Sequence, residues 1–282
     1  PRSTPKPSSA ASDVYKRQAL QCHTPCISLF LGEKSALKTD SILFYSEGKR
    51  IYGNLHLPNK KNPPCIITLH GLESSKDSGK WPILASKLCE AGFACLRFSF
   101  RGCGEGKEKS EGNFEDTSLT SRIKDYEAAL RFLENTGKVD MNKLGVIGSS
   151  FGGMVAIAAQ NRKIKAMVVL ATPYTLSKPI NLQLKTEEEY YVLPSGRRLK
   201  KEFFEDLQKY NLLKAIKNTP PILIVHGDTD ELVPVEHAYR LYKAAKKPKK
   251  LEIIEGGDHT FSQAKDLDRV INLTLEWFKK YL

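Results

Sequence analysis

Short apolar runs alternate with amphipathic stretches over most of the chain. The runs are continuous and cover residues 65–69, 93–98, 144–147, 166–171, 222–225 and 251–254. Continuous apolar runs are typical of parallel strands that are buried on both faces. Helical spacing of apolar positions predicts helices at residues 81–91, 119–136, 151–162, 235–247 and 266–281. This repeated order of strand and helix predicts a mostly parallel sheet covered by helices on both faces.

Two segments depart from this alternation. Residues 41–46 and 50–57 are half-polar and flank Glu47-Gly48-Lys49, which predicts an antiparallel hairpin before the parallel strands. The interval between Ala171 and Pro220 is much longer than a connection with one helix needs, which predicts an insertion. Within it we expect a hairpin around residues 194–196 and a helix at 202–216. The predicted core therefore covers residues 40–172 and 219–282, with a lid at 173–218.

The N-terminal residues 1–18 are rich in Pro, Ser, Ala and basic residues, and they have no periodicity that could bury a face. We predict a disordered tail, and its residues 9–18 resemble a translated sequencing adapter. A basic targeting arm is the alternative interpretation. The N-terminus also lacks the apolar core of a secretory signal peptide, so a cytoplasmic location is expected.

Charge and cysteine usage narrow the possible partners. The 282 residues contain 44 Lys and Arg against 32 Asp and Glu, a net charge of +12 that would suit nucleic acid or an anionic membrane. The basic pairs are scattered and accompany no recognised motif, so we expect no binding to nucleic acid or to a membrane. A monomer or homodimer is expected. Cys65, Cys89 and Cys95 lie in apolar elements and are expected to be reduced. Cys22 and Cys26 lack a second ligand pair, so no metal and no cofactor are predicted.

A candidate nucleophile lies in Gly148-Ser149-Ser150-Phe151-Gly152, where an apolar run ends and a predicted helix begins. This is the context of a nucleophile elbow, in which a sharp strand-to-helix turn exposes the central serine. The two glycines leave room for such a turn because neither carries a side chain. A serine after a strand is more often a simple helix cap, so Ser150 needs catalytic partners to support the catalytic interpretation.

The partners of a nucleophilic serine are a histidine and an acid that holds it. Of the six histidines, His259 alone lies in a polar loop after a late apolar run. Before it, the run at 222–225 leads into a loop that contains Asp228 and Asp230. We choose Asp230 because the chain turns into the next helix directly after it, and Asp228 remains the alternative. The order Ser, Asp, His is that of α/β-hydrolases.

An oxyanion hole requires backbone N–H groups beside the nucleophile. His70-Gly71-Leu72 directly follows the run at 65–69. We assign the hole to the amides of Leu72 and Phe151, with Gly71 permitting a close approach of substrate. His70 is expected to brace the neighbouring loop rather than to act as a base.

These motifs resemble those of the α/β-hydrolase superfamily over residues 42–280. The resemblance rests on His70-Gly71, Phe100-Arg101-Gly102-x-Gly104, Gly148-x-Ser150-x-Gly152, His226-Gly227-x-x-Asp230-x-x-Val233-Pro234 and Gly257-x-His259. Within the superfamily the chain is similar to single-domain bacterial carboxylesterases, including cinnamoyl and feruloyl esterases with a short lid after the sixth strand. The resemblance implies an eight-stranded α/β-hydrolase fold and a triad of Ser150, Asp230 and His259. Cys103 departs from the residue that relatives often have in its loop.

The expected activity is hydrolysis of carboxylic esters with small to medium acyl groups, aromatic ones included. A serine at the elbow disfavours relatives that use aspartate or cysteine as nucleophile. A serine peptidase, a thioesterase and a ligand-binding module without turnover remain alternatives. Tyr174, Tyr190 and Tyr191 in the insertion are candidates for an aryl pocket, although such residues also pack small subdomains.

Overall fold

The computed structural model describes residues 38–176, 184–185 and 189–282. The predicted tail at 1–18 and the pair Cys22 and Cys26 lie outside the described residues. The strands are β1 Lys38–Ser46, β2 Lys49–Leu57, β3 Pro64–Leu69, β4 Ala94–Phe98, β5 Asp140–Ser149, β6 Ile164–Leu170, β7 Leu184–Lys185, β8 Tyr190–Val192, β9 Arg198–Lys200, β10 Ile222–Gly227 and β11 Lys249–Ile254. The α-helices are α1 Trp81–Glu90, α2 Leu119–Thr136, α3 Phe151–Ala159, α4 Glu202–Leu207, α5 Leu212–Ala215, α6 Glu236–Ala244 and α7 Ala264–Tyr281.

One sheet of eight strands runs through the described residues in the order β1-β2-β4-β3-β5-β6-β10-β11. β1 and β2 form the antiparallel hairpin, and β2 pairs antiparallel with β4. From β4 to β11 every neighbouring pair is parallel. This mostly parallel sheet of eight strands with an N-terminal antiparallel hairpin confirms the predicted α/β-hydrolase architecture. The carboxyl ends of its parallel strands share one edge of the sheet.

Helices cover both faces of this sheet and enclose two apolar clusters. On one face the sheet packs against α2, α3 and α6, and on the other against α1 and α7. Burial of these apolar side chains is the main favourable term in folding. Within the described part of the chain, no helix is long and apolar enough to cross a membrane.

Local signals set several helix ends. The Ser118 hydroxyl accepts from the Ser121 amide at 2.9 Å and caps α2, which ends at Gly137 with φ +62°. The helical stretch expected near residues 202–216 is divided in the structure into two helices, α4 and α5. Asn211 separates the two helices because its backbone is extended rather than helical. Its side chain accepts from the Lys214 amide at 2.9 Å and caps α5.

The insertion, defined here as the chain between β6 and β10, forms a small three-stranded antiparallel sheet of β7, β8 and β9. β8 and β9 are the hairpin expected around residue 195. Leu199 and Phe203 are buried with the core cluster that α2 and α3 line. Asp206 accepts from the Thr120 amide at 2.9 Å, which ties α4 to the start of α2.

A buried ion pair fixes the loop after β4. Arg101 is 7% exposed and Asp125 of α2 is 0% exposed, and Nη2 of the arginine lies 2.6 Å from Oδ1 of the aspartate. The Arg101 amide also donates to Asp125 Oδ2 at 3.0 Å. Removing Asp125 would leave the buried charge of Arg101 with only the more exposed Glu47, 2.9 Å from Nη1, as an ion-pair partner, which is costly in the interior.

We therefore expect Asp125→Asn to lower the free energy of unfolding by about 3 kcal/mol or more. Denaturant titration followed by circular dichroism measures this change. Glu134→Gln is the matched control, because the ion pair of Glu134 with Lys163 is exposed and should contribute little. Equal effects of the two substitutions would contradict the importance of the buried pair.

Candidate active site

Ser150 occupies a strained turn between β5 and α3. Its φ is +54° and its ψ is −122°, a conformation that non-glycine residues rarely adopt. Strain of this kind costs roughly 1–3 kcal/mol and persists only where the surroundings enforce it. The Ser150 amide donates to the Leu170 carbonyl at 2.8 Å, which ties the turn to β6. The turn has the geometry expected of a nucleophile elbow.

Close backbone packing enforces the conformation of Ser150. A Cβ added to Gly148 would lie 2.4 Å from the carbonyl oxygen of Gly152, and one added to Gly152 would lie 2.0 Å from that of Leu69. Real Cβ atoms do not approach so closely, so only glycine fits at either position. The start of α3 consequently packs directly on the end of β3.

The loop after β3 lies beside the serine. A Cβ added to Gly71 would be 3.5 Å from Ser150 Cβ, which places Gly71 in direct contact with the elbow. His70 braces this loop as expected: its Nε2 accepts from the Phe100 amide at 3.0 Å, so its Nδ1 carries the proton and donates to the Gly71 carbonyl at 2.8 Å. Burial lowers the pKa of His70 well below its usual range, which keeps the ring neutral.

Asp230 and His259 meet at the same edge of the sheet. Oδ2 of Asp230 is 2.7 Å from Nδ1 of His259, while Oδ1 accepts from the amides of Leu232 and Val233 at 2.9 and 2.8 Å. The ionised aspartate can only accept, so it fixes the proton of His259 on Nδ1 and leaves Nε2 free to take a proton.

The structure distinguishes the two acids that the sequence left open. Asp228 Oδ1 accepts from the Gly256 amide at 2.7 Å and makes no contact with His259 in the described residues. Asp228 thus links the loops after β10 and β11. The same loops meet where a Cβ on Gly227 would lie 2.0 Å from the Gly257 carbonyl oxygen.

His226 is a neighbour of Asp230 that the sequence did not assign to the site. Its Nε2 donates to the Val233 carbonyl at 2.8 Å and lies 3.3 Å from Asp230 Oδ2, while its buried Nδ1 finds no hydrogen-bond partner among the described residues. Burial alone raises the pKa of Asp230, but hydrogen bonds from His226, His259 and the Val233 amide outweigh it and hold that pKa well below its usual range. The signal in the sequence was the position of His226 at the strand end, four residues before Asp230.

Strand register brings the serine and the acid–base pair to one edge. Ser149 pairs with Leu170, and Leu170 pairs with Val225 of β10, two residues before the end of that strand. The structure joins Asp230 to His259 directly, but it does not place the Ser150 hydroxyl in a hydrogen bond with either of them. Catalytic hydrogen bonds often tighten only when substrate binds.

The two residues predicted to donate to the oxyanion hole lie at the start of α3 and in the loop after β3. Phe151 begins α3, so its amide is one of the four at a helix N-terminus that lack an intrahelical acceptor. Leu72 follows Gly71 in the braced loop. The carbonyls of Gly71 and Leu72 are bonded by the guanidinium of Arg122, at 3.0 and 2.7 Å. Sequence reasoning missed Arg122, and the one available signal was its position a helical turn before Tyr126, on the buried face of α2.

The insertion contacts the protein near Ser150 at two points. The Phe203 ring is 5.4 Å from that of Phe151, and the Ser195 hydroxyl bonds the carboxylate of Glu73, next to Leu72. The segment is thereby attached to the start of α3 and to the loop after β3.

The three predicted substrate-binding tyrosines all make contacts within the protein. The Tyr174 hydroxyl accepts from Arg240 at 2.9 Å and its ring lies 4.7 Å from that of His237. The Arg198 guanidinium is 4.7 Å from the Tyr190 ring, and buried Tyr191 packs edge-on against Phe204 at 5.1 Å. Their role in substrate binding stays a prediction. In the described residues, no group of three or more His, Cys, Asp or Glu side chains is placed to hold a metal ion.

Comparisons with known proteins agree with the α/β-hydrolase fold. The sequence profile of the prolyl oligopeptidase family matches residues 83–282. YitV of Bacillus subtilis, by its name a candidate esterase, is 27% identical over 254 residues, which cover 81% of this chain and 94% of YitV.

Two solved structures are similar along nearly their whole length. Est1E from Butyrivibrio proteoclasticus, with ferulic acid bound, superposes with a TM-score of 0.76 at 26% identity and covers 85% of this chain and 98% of its own. The esterase domain of a Rhodothermus marinus protein has a TM-score of 0.69 at 27% identity, covering 86% and 99%.

Close packing at the elbow can be tested with two alanine substitutions. We expect Gly152→Ala to destabilise the protein by about 1–3 kcal/mol, because its Cβ would collide with the Leu69 carbonyl oxygen. Gly71→Ala is the control, since its Cβ would make ordinary contact with Ser150 at 3.5 Å. Thermal unfolding of both variants measures the difference, and equal stability would contradict the packing described here.

The lowered pKa of Asp230 makes a prediction about acid stability. A carboxylate whose folded pKa lies below its unfolded value stabilises the native state above the unfolded value of about 3.9, and this contribution is lost as pH falls through the folded pKa. The difference in unfolding free energy between the wild type and Asp230→Asn should therefore shrink as pH falls from about 5 to about 2. Urea titrations across this range would show a constant difference if the pKa were not lowered.

Proposed function

The chain belongs to the prolyl oligopeptidase family of α/β-hydrolases, and from that membership we propose that it cleaves carboxylic esters through an acyl-enzyme on Ser150. The membership confirms the superfamily resemblance predicted from the motifs. The observation that carries the proposal is the 2.7 Å contact between Asp230 and His259, at the same sheet edge as the strained Ser150.

In the proposed reaction Ser150 Oγ attacks the ester carbonyl while His259 Nε2 takes the hydroxyl proton. Asp230 stabilises the imidazolium that forms and does not itself take the proton. The amides of Leu72 and Phe151 donate to the oxyanion of the tetrahedral intermediate. The intermediate collapses as His259 returns the proton to the leaving alcohol, and the acyl group stays on Ser150.

Deacylation repeats these steps with water as the nucleophile. His259 takes a proton from water, the hydroxide attacks the acyl carbonyl, and Ser150 leaves with the proton that His259 returns. The products are a carboxylic acid and the free enzyme. No cofactor or metal takes part in the proposed cycle.

For the substrate we propose esters with small to medium acyl groups, aromatic ones included. Two relatives support this choice: the bound ferulic acid in Est1E and the esterase domain from Rhodothermus marinus, both similar over almost all of their length. The insertion would act as the lid over the acyl group, since it contacts Phe151 at the start of α3 and Glu73 in the loop after β3. A serine peptidase is the second candidate, because the family is that of prolyl oligopeptidase.

We expect Ser150→Ala to lower kcat for 4-nitrophenyl acetate by about 10⁴-fold or more while the protein stays folded. A fluorophosphonate probe should label the wild type at Ser150 and leave the variant unlabelled, which mass spectrometry of the tryptic peptides shows. Ser149→Ala is the matched control on the neighbouring serine. Full turnover in Ser150→Ala would exclude the proposed mechanism, and an unlabelled wild type would favour a binding module without turnover.

A substrate panel tests the chemical class. We expect a higher kcat/KM for methyl ferulate and 4-nitrophenyl butyrate than for a prolyl 4-nitroanilide, with an acyl thioester as a third comparison. We expect esters to have the higher kcat/KM because the proposed site binds an acyl group and not a peptide backbone. Faster cleavage of the anilide than of either ester would replace the esterase proposal by the peptidase one.

A further inference from the structure

Arg122 of α2 bonds the loop that carries one predicted donor of the oxyanion hole. Its side chain is fully buried, with 0% exposure, and its two terminal nitrogens donate to adjacent carbonyls. Nη1 bonds the Gly71 carbonyl at 3.0 Å and Nη2 bonds the Leu72 carbonyl at 2.7 Å. A planar guanidinium presents its donors in a fixed fork, so these two bonds set the orientation of two successive peptide planes.

The first of these bonds acts on the peptide that carries a predicted oxyanion donor. The Gly71 carbonyl and the Leu72 N–H belong to one peptide group, and in a trans peptide they point in opposite directions. His70 Nδ1–H and Arg122 Nη1–H both donate to that carbonyl. The Leu72 N–H therefore points away from them, and donation to the carbonyl end strengthens the N–H as a donor.

The same guanidinium also contacts the residue that supplies the second predicted donor. Its central carbon lies 5.1 Å from the centre of the Phe151 ring and 4.7 Å from that of Phe100. These are cation–π distances, and they fix Phe151 on the side of Arg122. One buried cation thus contacts both residues whose amides are the predicted oxyanion donors.

The charge of Arg122 is unusual for the interior. In the described part of the chain no carboxylate forms an ion pair with it: its polar partners are the two carbonyls and Cys103 Sγ, at 3.5 Å, and its buried Nε has none. Burial lowers the pKa of Arg122, which reflects the cost of keeping a cation away from water. Arg101, by contrast, is neutralised by Asp125. Asp125, one helical turn away on α2, favours the charged form of Arg122 without a direct ion pair. A buried cation close to a site where negative charge develops stabilises that charge.

From this arrangement we propose that Arg122 is a positioning residue that orients and polarises the oxyanion donors of Leu72 and Phe151. The proposal rests on the proposed function, because it assumes that a tetrahedral oxyanion forms at Ser150. According to the proposal, Arg122 stabilises the transition state more than it stabilises the enzyme–substrate complex.

Kinetics of Arg122→Met and Arg122→Lys test the proposal. Methionine removes the donors and keeps much of the length, whereas lysine keeps the charge but cannot bond two carbonyls with one planar group. We expect kcat for 4-nitrophenyl acetate to fall by about 10- to 100-fold in both variants, with KM changed by less than about threefold. Affinity for a trifluoromethyl ketone, which forms a tetrahedral adduct with the serine, should fall in parallel with kcat/KM.

Controls separate this role from a structural one. Arg131→Met makes the same chemical change at an exposed position of α2 and should leave kcat unchanged. Thermal unfolding of every variant shows whether the assayed protein is folded, and Arg122→Lys decides the question if Arg122→Met does not fold. A folded variant with kcat within about twofold of the wild type, or with undiminished affinity for the ketone, would overturn the proposal. A wild type without esterase activity or fluorophosphonate labelling would instead refute the proposed function.

Discussion

The close contact between α3 and the end of β3 is the constraint on which the site depends. Gly152 touches the Leu69 carbonyl and Gly148 touches Gly152, so the turn between β5 and α3 has almost no freedom. Ser150 is held with a positive φ because the packing around it leaves no alternative. The same contact brings the start of α3 close to the loop after β3, where Gly71 lies against Ser150. The strain at Ser150 and the position of this loop therefore have a common cause.

Much of the fold and part of the site could be predicted from the sequence because both follow from strand order. Parallel strands end at one edge, so residues after β5, β10 and β11 converge whatever their separation along the chain. Asp230 could be chosen over Asp228 from the turn that follows it, and its contact with His259 agrees with that choice. The hairpin of β1 and β2 was equally visible, because half-exposed strands alternate polar and apolar residues.

Other parts could not be predicted, for physical reasons. Helical spacing alone does not reveal a helix break, and the cap that Asn211 provides became evident only with α4 and α5 in place. Arg122 is one of many basic residues, and a charged side chain is normally assumed to face solvent. Its burial depends on carbonyls from a loop some fifty residues earlier in the chain, which no local pattern encodes. Aromatic residues of the insertion are ambiguous for a similar reason, since packing and ligand contact require the same side chains.

The insertion leaves the core after β6 and returns to it at β10, and these two strands are neighbours in the sheet. A connection of this kind can change in length without altering the pairing of either strand. Recombination among homologues would therefore exchange the whole segment without disturbing the sheet. An exchanged segment would have to keep the contacts of Asp206 with Thr120 and of Ser195 with Glu73. The segment would then vary as a module while the strands before Ser150, Asp230 and His259 stay unchanged.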